Sequence, residues 1–493
     1  MNQQPVVLFM PINAPGHINT GITLADRLSK ADLGYRCVFV IVGRQIGDKI
    51  VGHGHELIEL PEIKPQVAGE LDGAHNSGGV ENIWTEHVRE DRNGLASSPR
   101  QALESLMKVC SQQFFPRSFR NFHQYDQVVE RLKPALICVD NFFAPPVVLR
   151  KQKQIPWVRI HSPNPMDLYK RTLPGNSGPA AWLGHQLFTR QERDRLRQEQ
   201  PNRWQEILAH WREHAMFVEA AYAHNRRLLV EYYDGLGLNE GHLDHTRQIL
   251  HCNSPHLNLY LCPEALDYCH DGDLFEPLPP HFVQCNSLVR QSSLSQAQQK
   301  HWLQLIEQKS LGKEARVLFS LGSIASGDAE LVQRYVNLLA QDQRRLYIVS
   351  KGIANEESVQ LDERNMIGAA YIPQPFLLQH VQLAIVHGGN NGITECLHNG
   401  VPLIVVPMFG DQFDNAQRVA DMQLGLRLNL QQCSQAQLLG AVDQLLADRE
   451  LRRRVSLVGA KMRARNDVER VCQMLHSLAE SKRVSNDGDE NSV

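Results

Sequence analysis

Short apolar runs rich in β-branched residues alternate along the chain with segments of helical periodicity, and this alternation restricts the folds available to it. Val6 to Met10 is an apolar run of strand type, residues 18–28 carry apolar side chains at helical spacing, and Cys37 to Val42 is a second strand-type run. Strand–helix–strand units of this kind build parallel sheets with right-handed crossovers. We therefore predict an α/β fold whose ligands bind at the carboxyl edge of the sheet.

The same alternation starts again after Lys313 and predicts a second parallel sheet. A strand over 317–320, a helix over 329–339 and a strand over 346–349 follow one another, and the polar stretch from Asn286 precedes them. The polar, acidic C-terminus predicts disorder. We predict a first domain over 1–285, a linker over 286–312, a second domain over 313–465, a C-terminal helix over 466–480 and a disordered tail over 481–493.

Charge argues against a nucleic-acid partner. The 493 residues include 51 Lys and Arg against 54 Asp and Glu, for a formal net charge of -3. Binding to a polyanion requires clustered cations that release counterions. We therefore expect no nucleic-acid partner.

The sequence also predicts a cytoplasmic protein. The N-terminus lacks a basic segment followed by a long apolar stretch, and no apolar run approaches the roughly 18 residues that a membrane span needs. The ten cysteines form no C-x-x-C pair, which favours reduced, buried thiols. We expect a monomer without a membrane partner.

A glycine-rich loop between a strand and a helix carries the most specific chemistry. The strand over 384–386 ends at His387, residues 388–392 are Gly-Gly-Asn-Asn-Gly, and helical residues start at Ile393. Glycines let a ligand approach the backbone, and the helix N-terminus offers N–H groups to a diphosphate. Glu395, one turn into the helix, can accept hydrogen bonds from ribose hydroxyls, and Asp411 with Gln412 can bind vicinal hydroxyls of a hexose.

The residues around this loop form an ordered series that resembles the signature segment of the UDP-glycosyltransferases of plants, animals and bacteria. The series is Tyr371, Pro373-Gln374, His387-Gly388-Gly389-Asn390-Asn391, Glu395, Gly400-Val401-Pro402 and Asp411-Gln412. The resemblance implies the GT-B arrangement, in which two Rossmann-like, doubly wound domains face each other across a cleft. It also implies an N-terminal domain that binds the acceptor and a C-terminal domain that binds the UDP-sugar.

The resemblance also assigns individual roles. Tyr371 would stack on uracil, Gln374 and Glu395 would hold the ribose, and Asp411 with Gln412 would bind the sugar. The donor-binding set that follows is Gly16, Gly322, Ser323, Tyr371, Ile372, Gln374, His387, Gly389, Asn390, Asn391, Gly392, Glu395, Asp411 and Gln412. The candidate acceptor-binding residues are Asn141, Phe142, Phe143, Trp182 and Phe188.

Two residues of the first half resemble the catalytic pair of this family. His17, in Pro15-Gly16-His17, corresponds to the histidine that removes the acceptor proton, and Asp140 corresponds to the acid that pairs with it. An alcohol is too weak an acid to attack unaided, so a neutral imidazole must take its proton while a carboxylate stabilises the imidazolium. The resemblance implies inversion to a β-glycoside.

The sequence departs from the family pattern in two places. Tyr371 stands where tryptophan is usual, which keeps an aromatic face but leaves open whether uracil is preferred over thymine. The stretch between His380 and His387 is also shorter than in plant and animal forms. For Ser323, in the Ser320 to Ser323 loop, a simple strand-to-helix turn is the alternative to diphosphate contact.

Other polar clusters favour surface positions over metal sites. Asp271-Gly272-Asp273 resembles the D-x-D metal motif of the other glycosyltransferase fold, but its Pro-rich surroundings are typical of a turn. His53-Gly54-His55 and the histidines over 242–245 lack Cys or carboxylate partners at ligand spacing, which favours surface histidines. We expect no metal and no cofactor beyond the donor.

The sequence leaves three functions open. The first is a transferase that moves a hexose, with glucose as the leading candidate, from a UDP-sugar to a hydroxyl of a small lipophilic acceptor such as a flavonoid or xenobiotic. The second uses a dTDP-sugar to glycosylate natural products. The third is a nucleotide-sugar-binding protein without catalysis, which an intact His17 and Asp140 argue against.

Overall fold

The computed structural model describes most of the second half of the chain and the sheet of the first half. The described residues are 4–12, 15–43, 47–61, 63, 119–140, 147–148, 154–161, 190–206, 208–209, 223, 227–228, 230–238, 253–267, 279–286, 288, 294–322, 326–408, 412–430 and 432–490.

Within these residues, the first half forms a parallel sheet of seven strands. They are β1 (Val6–Met10), β2 (Arg36–Val42), β3 (Glu56–Leu60), β4 (Leu136–Asp140), β5 (Trp157–His161), β6 (Leu257–Leu261) and β7 (Phe282–Cys285). Their order across the sheet is β3-β2-β1-β4-β5-β6-β7. The order reverses at β1 and β4, so the carboxyl ends of these two strands flank the crevice where ligands bind in doubly wound sheets.

Helices of the first half connect and cover these strands. The described ones are α1 (Pro15–Leu28), α2 (Gly47–Gly52), α3 (Phe122–Leu132) and α4 (Arg190–Glu199). Alternate residues of β1 pack on opposite faces of the sheet. Leu8 and Met10 share a buried cluster with α3, whereas Val7 and Phe9 share another with α1.

The second half repeats the design with a parallel sheet of six strands among the described residues. They are β8 (Ala315–Ser320), β9 (Arg345–Ser350), β10 (Met366–Ala369), β11 (Leu383–Val386), β12 (Leu403–Val405) and β13 (Gly425–Arg427), in the order β10-β9-β8-β11-β12-β13. Its helices are α5 (Gln296–Lys309), α6 (Ala329–Ala340), α7 (Gln374–Leu377), α8 (Asn390–His398), α9 (Gln412–Asp421), α10 (Gln435–Ala447) and α11 (Arg449–Ala464). The prediction of two parallel, doubly wound sheets is confirmed.

The last helix, α12 (Asp467–Glu490), returns to the first half. Its apolar residues Val471, Cys472, Leu475 and Ala479 join the buried cluster of α1. The chain therefore crosses between the halves twice, once after β7 and once before α12.

A buried carboxylate ties these two crossings together. Asp467, whose side chain is 1% exposed, accepts hydrogen bonds from the Asn286 backbone N–H at 2.6 Å, from Arg465 Nε at 3.2 Å and from Arg470 Nε at 3.1 Å. Arg465 also donates to Gln284 Oε1 at 2.8 Å. We call these five residues the junction cluster.

The structure departs from the expected elements mainly at the sheet edges. The sequence pattern did not indicate β3, β10 or β13, which all lie at edges: β3 mixes charged with apolar residues, β10 contains Gly and Ala, and β13 has three residues. Helix α5 lies inside the predicted linker and begins with a capping box between Ser295 and Gln298, a signal that could have revealed it.

The C-terminal helix is longer than expected, and the predicted boundaries otherwise remain predictions. α12 continues to Glu490, whereas the sequence predicts a helix end at 480 and disorder from 481. The segment from 481 to 490 contains no proline, so nothing in it removes a hydrogen bond from the helix. The cysteines described by the structure are free and buried, as expected: Cys37, Cys138, Cys262, Cys285, Cys396, Cys433 and Cys472.

Candidate active site

The carboxyl edge of the first sheet brings His17 and Asp140 into contact. Asp140 is the last residue of β4, whose hydrogen-bonded neighbour is β1, and His17 lies in the first turn of α1, which follows β1. His17 Nδ1 lies 2.6 Å from Asp140 Oδ2, and the two side chains are 17% and 4% exposed. Because a carboxylate only accepts hydrogen bonds, we assign the proton to Nδ1, which leaves Nε2 as the basic nitrogen of the ring.

On the opposite side of the cleft, glycines surround the imidazole of His387. Gly322 follows β8 with φ +73°, and Gly388 follows the strand end of β11 with φ +92°; both values favour glycine. A Cβ atom at Gly322 or at Gly389 would overlap the His387 ring. The absence of side chains at these positions therefore makes room for the imidazole between the ends of two strands.

Burial keeps the His387 imidazole neutral. Desolvation lowers the pKa of His387 to about 4, although a hydrogen bond with the Ser320 backbone acts in the opposite direction. Its Nδ1 is buried without a hydrogen-bond partner. A neutral imidazole carries one N–H, so His387 can donate a hydrogen bond either to the Ser320 backbone or to an anion.

The start of α8 lacks a side-chain cap. Gly389 precedes the helix and has no side chain to bind the first N–H groups, which can therefore bind an anion. Gln374, the first residue of α7, donates from Nε2 to Glu395 Oε2 at 2.8 Å. A Cβ added at Gly392 would lie 3.8 Å from Gln374 Nε2 and 3.9 Å from His387 Cε1, so these residues converge beside the start of α8.

Three residues of the predicted donor-binding set differ in the exposure of their side chains. Tyr371 is 59% exposed, as a ring that stacks on a base must be, whereas the side chain of Ile372 is buried and could reach a ligand only through its backbone. Gln412 is 4% exposed and its Oε1 accepts from the Met408 N–H at 2.9 Å. The Oε1 atom of Gln412 therefore contacts backbone in this structure.

Both halves contribute to one open cleft. Asn391 Nδ2 donates to the Gly16 carbonyl at 2.8 Å, and Asn390 Nδ2 donates to the Leu261 carbonyl. The first half lines the cleft with Asn19, Thr20, Leu261, Asn286 and Leu288, and the second half with Asn390, Asn391, Thr394 and Glu395. The segment that carries His17 and the loop that follows His387 are therefore in contact, through Gly16 and Asn391.

Several predicted residues lie outside the described part of the chain. They are Ser323 and Asp411 of the donor set and the acceptor set Asn141, Phe142, Phe143, Trp182 and Phe188. The Asp271-Gly272-Asp273 motif and residues 242–245 also lie outside it. Their roles stay predictions.

Two features of the site were not singled out from the sequence. Asn415, which is buried, donates from Nδ2 to the Gly388 carbonyl at 3.0 Å and so fixes the glycine loop. Its spacing of three residues from Gln412 on one helix face is the signal that could have indicated it. Asn19 and Asn286 line the cleft from segments without a recognisable motif.

The prediction of a surface position is wrong for His55, which is buried. His53 Nδ1 lies 3.0 Å from Asp26 Oδ2, and His55 Nε2 lies 2.8 Å from Asp26 Oδ1. Asp26 is distant from both histidines in the sequence and meets them only through the packing of α1. Across the described ranges, no group of three or more His, Cys, Asp or Glu side chains is arranged to hold a metal ion.

Comparison with known proteins agrees with this geometry. Residues 279–460 match the family described as UDP-glucoronosyl and UDP-glucosyl transferase. UDP-glucuronosyltransferase 2B13 of Oryctolagus cuniculus is 34% identical over 147 residues, which make up 28% of this chain and 26% of that protein. The similarity to the UDP-glycosyltransferases therefore lies in the second half of the chain. The chain spans about a quarter of the length of this curated relative.

Solved structures of glycosyltransferases share the GT-B fold of this chain. The glycotransferase of kitacinnamycin matches with a TM-score of 0.61 at 17% identity, covering 97% of this chain and 100% of that chain. Spinosyn rhamnosyltransferase complexed with thymidine diphosphate matches with a TM-score of 0.56 at 16% identity, covering 93% of this chain and 96% of that chain. At this identity the likeness shows the fold alone, and it confirms the predicted arrangement of two facing domains.

In the part of the chain that the structure describes, no helix is long and apolar enough to cross a bilayer.

Proposed function

We propose that the protein transfers a hexose, with glucose as the first candidate, from a UDP-sugar to a hydroxyl of a small lipophilic acceptor such as a flavonoid or a xenobiotic. The observation that carries this proposal is the 2.6 Å contact between His17 and Asp140. It lies next to Gly16, whose carbonyl contacts the start of α8 at Asn391. A base and a candidate diphosphate site therefore stand on opposite banks of one cleft.

His17 acts as the general base in this proposal. Its Nε2 takes the proton of the acceptor hydroxyl as the oxygen attacks, and the carboxylate of Asp140 stabilises the imidazolium that forms. The short contact also fixes the tautomer, since Nδ1 donates to Asp140.

The second half holds the leaving group. The first N–H groups of α8 and the dipole of that helix stabilise the diphosphate, and neutral His387 donates one further hydrogen bond. This set of donors supports a reaction without a metal. Glu395 and Gln374 would bind the ribose, and the exposed ring of Tyr371 would stack on the base.

The reaction inverts the configuration of the sugar. The acceptor oxygen forms its bond to the anomeric carbon from the face opposite the diphosphate, while the bond between that carbon and the phosphate oxygen breaks. The electron pair leaves with UDP, and the acceptor proton stays on His17 until solvent removes it. An α-linked donor therefore yields a β-glycoside.

A thymidine-linked donor is the second candidate. Tyr371 replaces the usual tryptophan at the base-stacking position, and the structural neighbour solved with thymidine diphosphate shares the fold. The buried Oε1 of Gln412 also weakens the expectation that the protein binds every hydroxyl of the donor sugar.

The cytoplasmic location and the monomeric state remain predictions.

One assay tests these alternatives. The purified protein is incubated with UDP-glucose, UDP-glucuronate or dTDP-glucose and a panel of flavonols, and mass spectrometry follows nucleotide release and the glycoside. We expect acceptor-dependent release of UDP and a β-linked product. Faster turnover of dTDP-glucose would reassign the donor. Nucleotide binding without turnover of any donor would contradict the enzyme proposal.

A further inference from the structure

Two neighbouring amides at the start of α8 contact the first half of the protein. Asn390 Nδ2 donates to the carbonyl of Leu261 at the end of β6, and Asn391 Nδ2 donates to the carbonyl of Gly16 at 2.8 Å. Both acceptors are backbone atoms at the carboxyl edge of the first sheet. The helix that forms the candidate diphosphate site therefore also touches the segment that carries His17.

The contact at Gly16 is close. Gly16 is directly followed by His17 in the first turn of α1, so a shift of the Gly16 carbonyl also moves the backbone of His17. A Cβ added at Gly16 would lie 3.3 Å from Asn391 Nδ2, tighter than an ordinary van der Waals contact. The glycine lets the amide reach the carbonyl.

Asn391 can donate hydrogen bonds to the first half and to a bound donor at the same time. An amide nitrogen carries two N–H groups, and one of them is used on the Gly16 carbonyl. The other can be donated to an oxygen of the diphosphate. A single side chain would then link the donor to the backbone beside the base.

We propose that Asn391 is a positioning residue, which sets the place of His17 relative to the donor through its hydrogen bond to Gly16. This inference rests on the proposed function, and it adds a role that Asn391 performs before any donor binds. A displacement of about 1 Å between reacting groups can cost about 100-fold in rate. Loss of the amide should therefore lower kcat more than it weakens nucleotide binding.

The experiment compares Asn391→Ala with Asn399→Ala. Asn399 is the same residue type at the other end of α8, where its Nδ2 donates to the Glu395 carbonyl at 2.8 Å, remote from Gly16. The imidazole resonances of the free, nitrogen-labelled protein are recorded by NMR, and the His17 signal is assigned by its loss in His17→Ala. Transfer kinetics and the UDP dissociation constant are measured on the same samples.

We expect the His17 resonance to shift in Asn391→Ala without any nucleotide, and kcat to fall about 10- to 100-fold. The UDP dissociation constant should rise by no more than about 10-fold, the worth of one hydrogen bond. Asn399→Ala should behave as the unmodified protein.

Two results would overturn the inference. One is an unchanged His17 resonance in Asn391→Ala. The other is a rise in the KM of the donor with an unchanged kcat. If no donor is turned over by the unmodified protein, the resonance still decides. A shifted signal then supports the positioning contact while the proposed function fails.

Discussion

Two of the contacts between the halves of the protein differ in charge. At the junction cluster, the nearly inaccessible carboxylate of Asp467 is bound by Arg465, Arg470 and the Asn286 N–H. At the cleft, the amides of Asn390 and Asn391 donate to backbone carbonyls, and all these groups are neutral. The junction is therefore an ionic contact, whereas the halves are joined at the cleft by neutral hydrogen bonds.

The difference indicates which contact holds the halves together more strongly. A hydrogen bond to a charged group contributes about 1.5–3 kcal/mol, whereas a neutral hydrogen bond contributes about 1 kcal/mol. Since the junction lies where the chain crosses between the halves, we expect it to stay fixed. The cleft contacts lie where the substrates enter, and each contributes little to the stability of the fold.

The largest effect should follow from breaking the junction. Asp467→Ala leaves two partly exposed arginines and the buried Asn286 N–H without their acceptor, so we expect a loss of about 2–3 kcal/mol in the free energy of unfolding. Urea unfolding followed by circular dichroism measures it. Asp467→Asn, which keeps an acceptor oxygen but no charge, should lose less.

The control for this variant is an exposed pair. Glu450 and Arg453 are 71% and 68% exposed and 3.3 Å apart. Glu450→Ala should cost less than about 1 kcal/mol. Equal losses at Asp467 and Glu450 would show that the junction is no stronger than a surface ion pair.

A second prediction concerns the buried, neutral imidazole of His387. The pKa of His387 is lowered by burial to about 4, below its value in an unfolded chain. Between these values the unfolded chain binds a proton that the folded protein does not, so stability falls as the pH drops. We expect about 2 kcal/mol of this loss between pH 7 and pH 5.

His387→Gln isolates this contribution. The variant has no imidazole at this position, so its stability should fall less between the two pH values than that of the unmodified protein, as measured by urea unfolding. The same pH dependence in both proteins would mean that the imidazole is charged or solvated in the cleft.

The smallest effect belongs to the cleft contact itself. Asn390→Ala removes the bond to the Leu261 carbonyl, and we expect a loss of about 1 kcal/mol in the free energy of unfolding. Asn337, which pairs with Gln333 on an exposed helix face, gives the matched control. Asn337→Ala should cost less than about 0.5 kcal/mol. A loss at Asn390 as large as that at Asp467 would erase the distinction between the two contacts.

The sequence predicted the part of the site that depends on local spacing. His387, the glycines and Glu395 lie on one strand–loop–helix segment, so their order along the chain already places them together. The contact between His17 and Asp140 was expected from the resemblance. In the structure, Asp140 ends β4 and His17 lies at the start of the helix that follows the neighbouring strand β1, so the two meet at one sheet edge.

Contacts that depend on tertiary packing could not be predicted. Asn391 and Gly16 are 375 residues apart, and nothing in either segment indicates the other. Asp26 likewise meets His53 and His55 only after α1 packs beside β3. The buried position of Gln412 has the same origin. Its oxygen accepts from the Met408 N–H, and the motif does not predict the backbone path that brings the two together.

In the proposed reaction, an imidazole of the first half removes the acceptor proton while the second half holds the nucleotide. Purified His17→Ala is the direct test, with UDP binding measured by calorimetry and transfer by mass spectrometry. We predict that UDP binds as it does to the unmodified protein, while transfer slows about 100- to 10,000-fold. Unchanged transfer by His17→Ala would contradict the account.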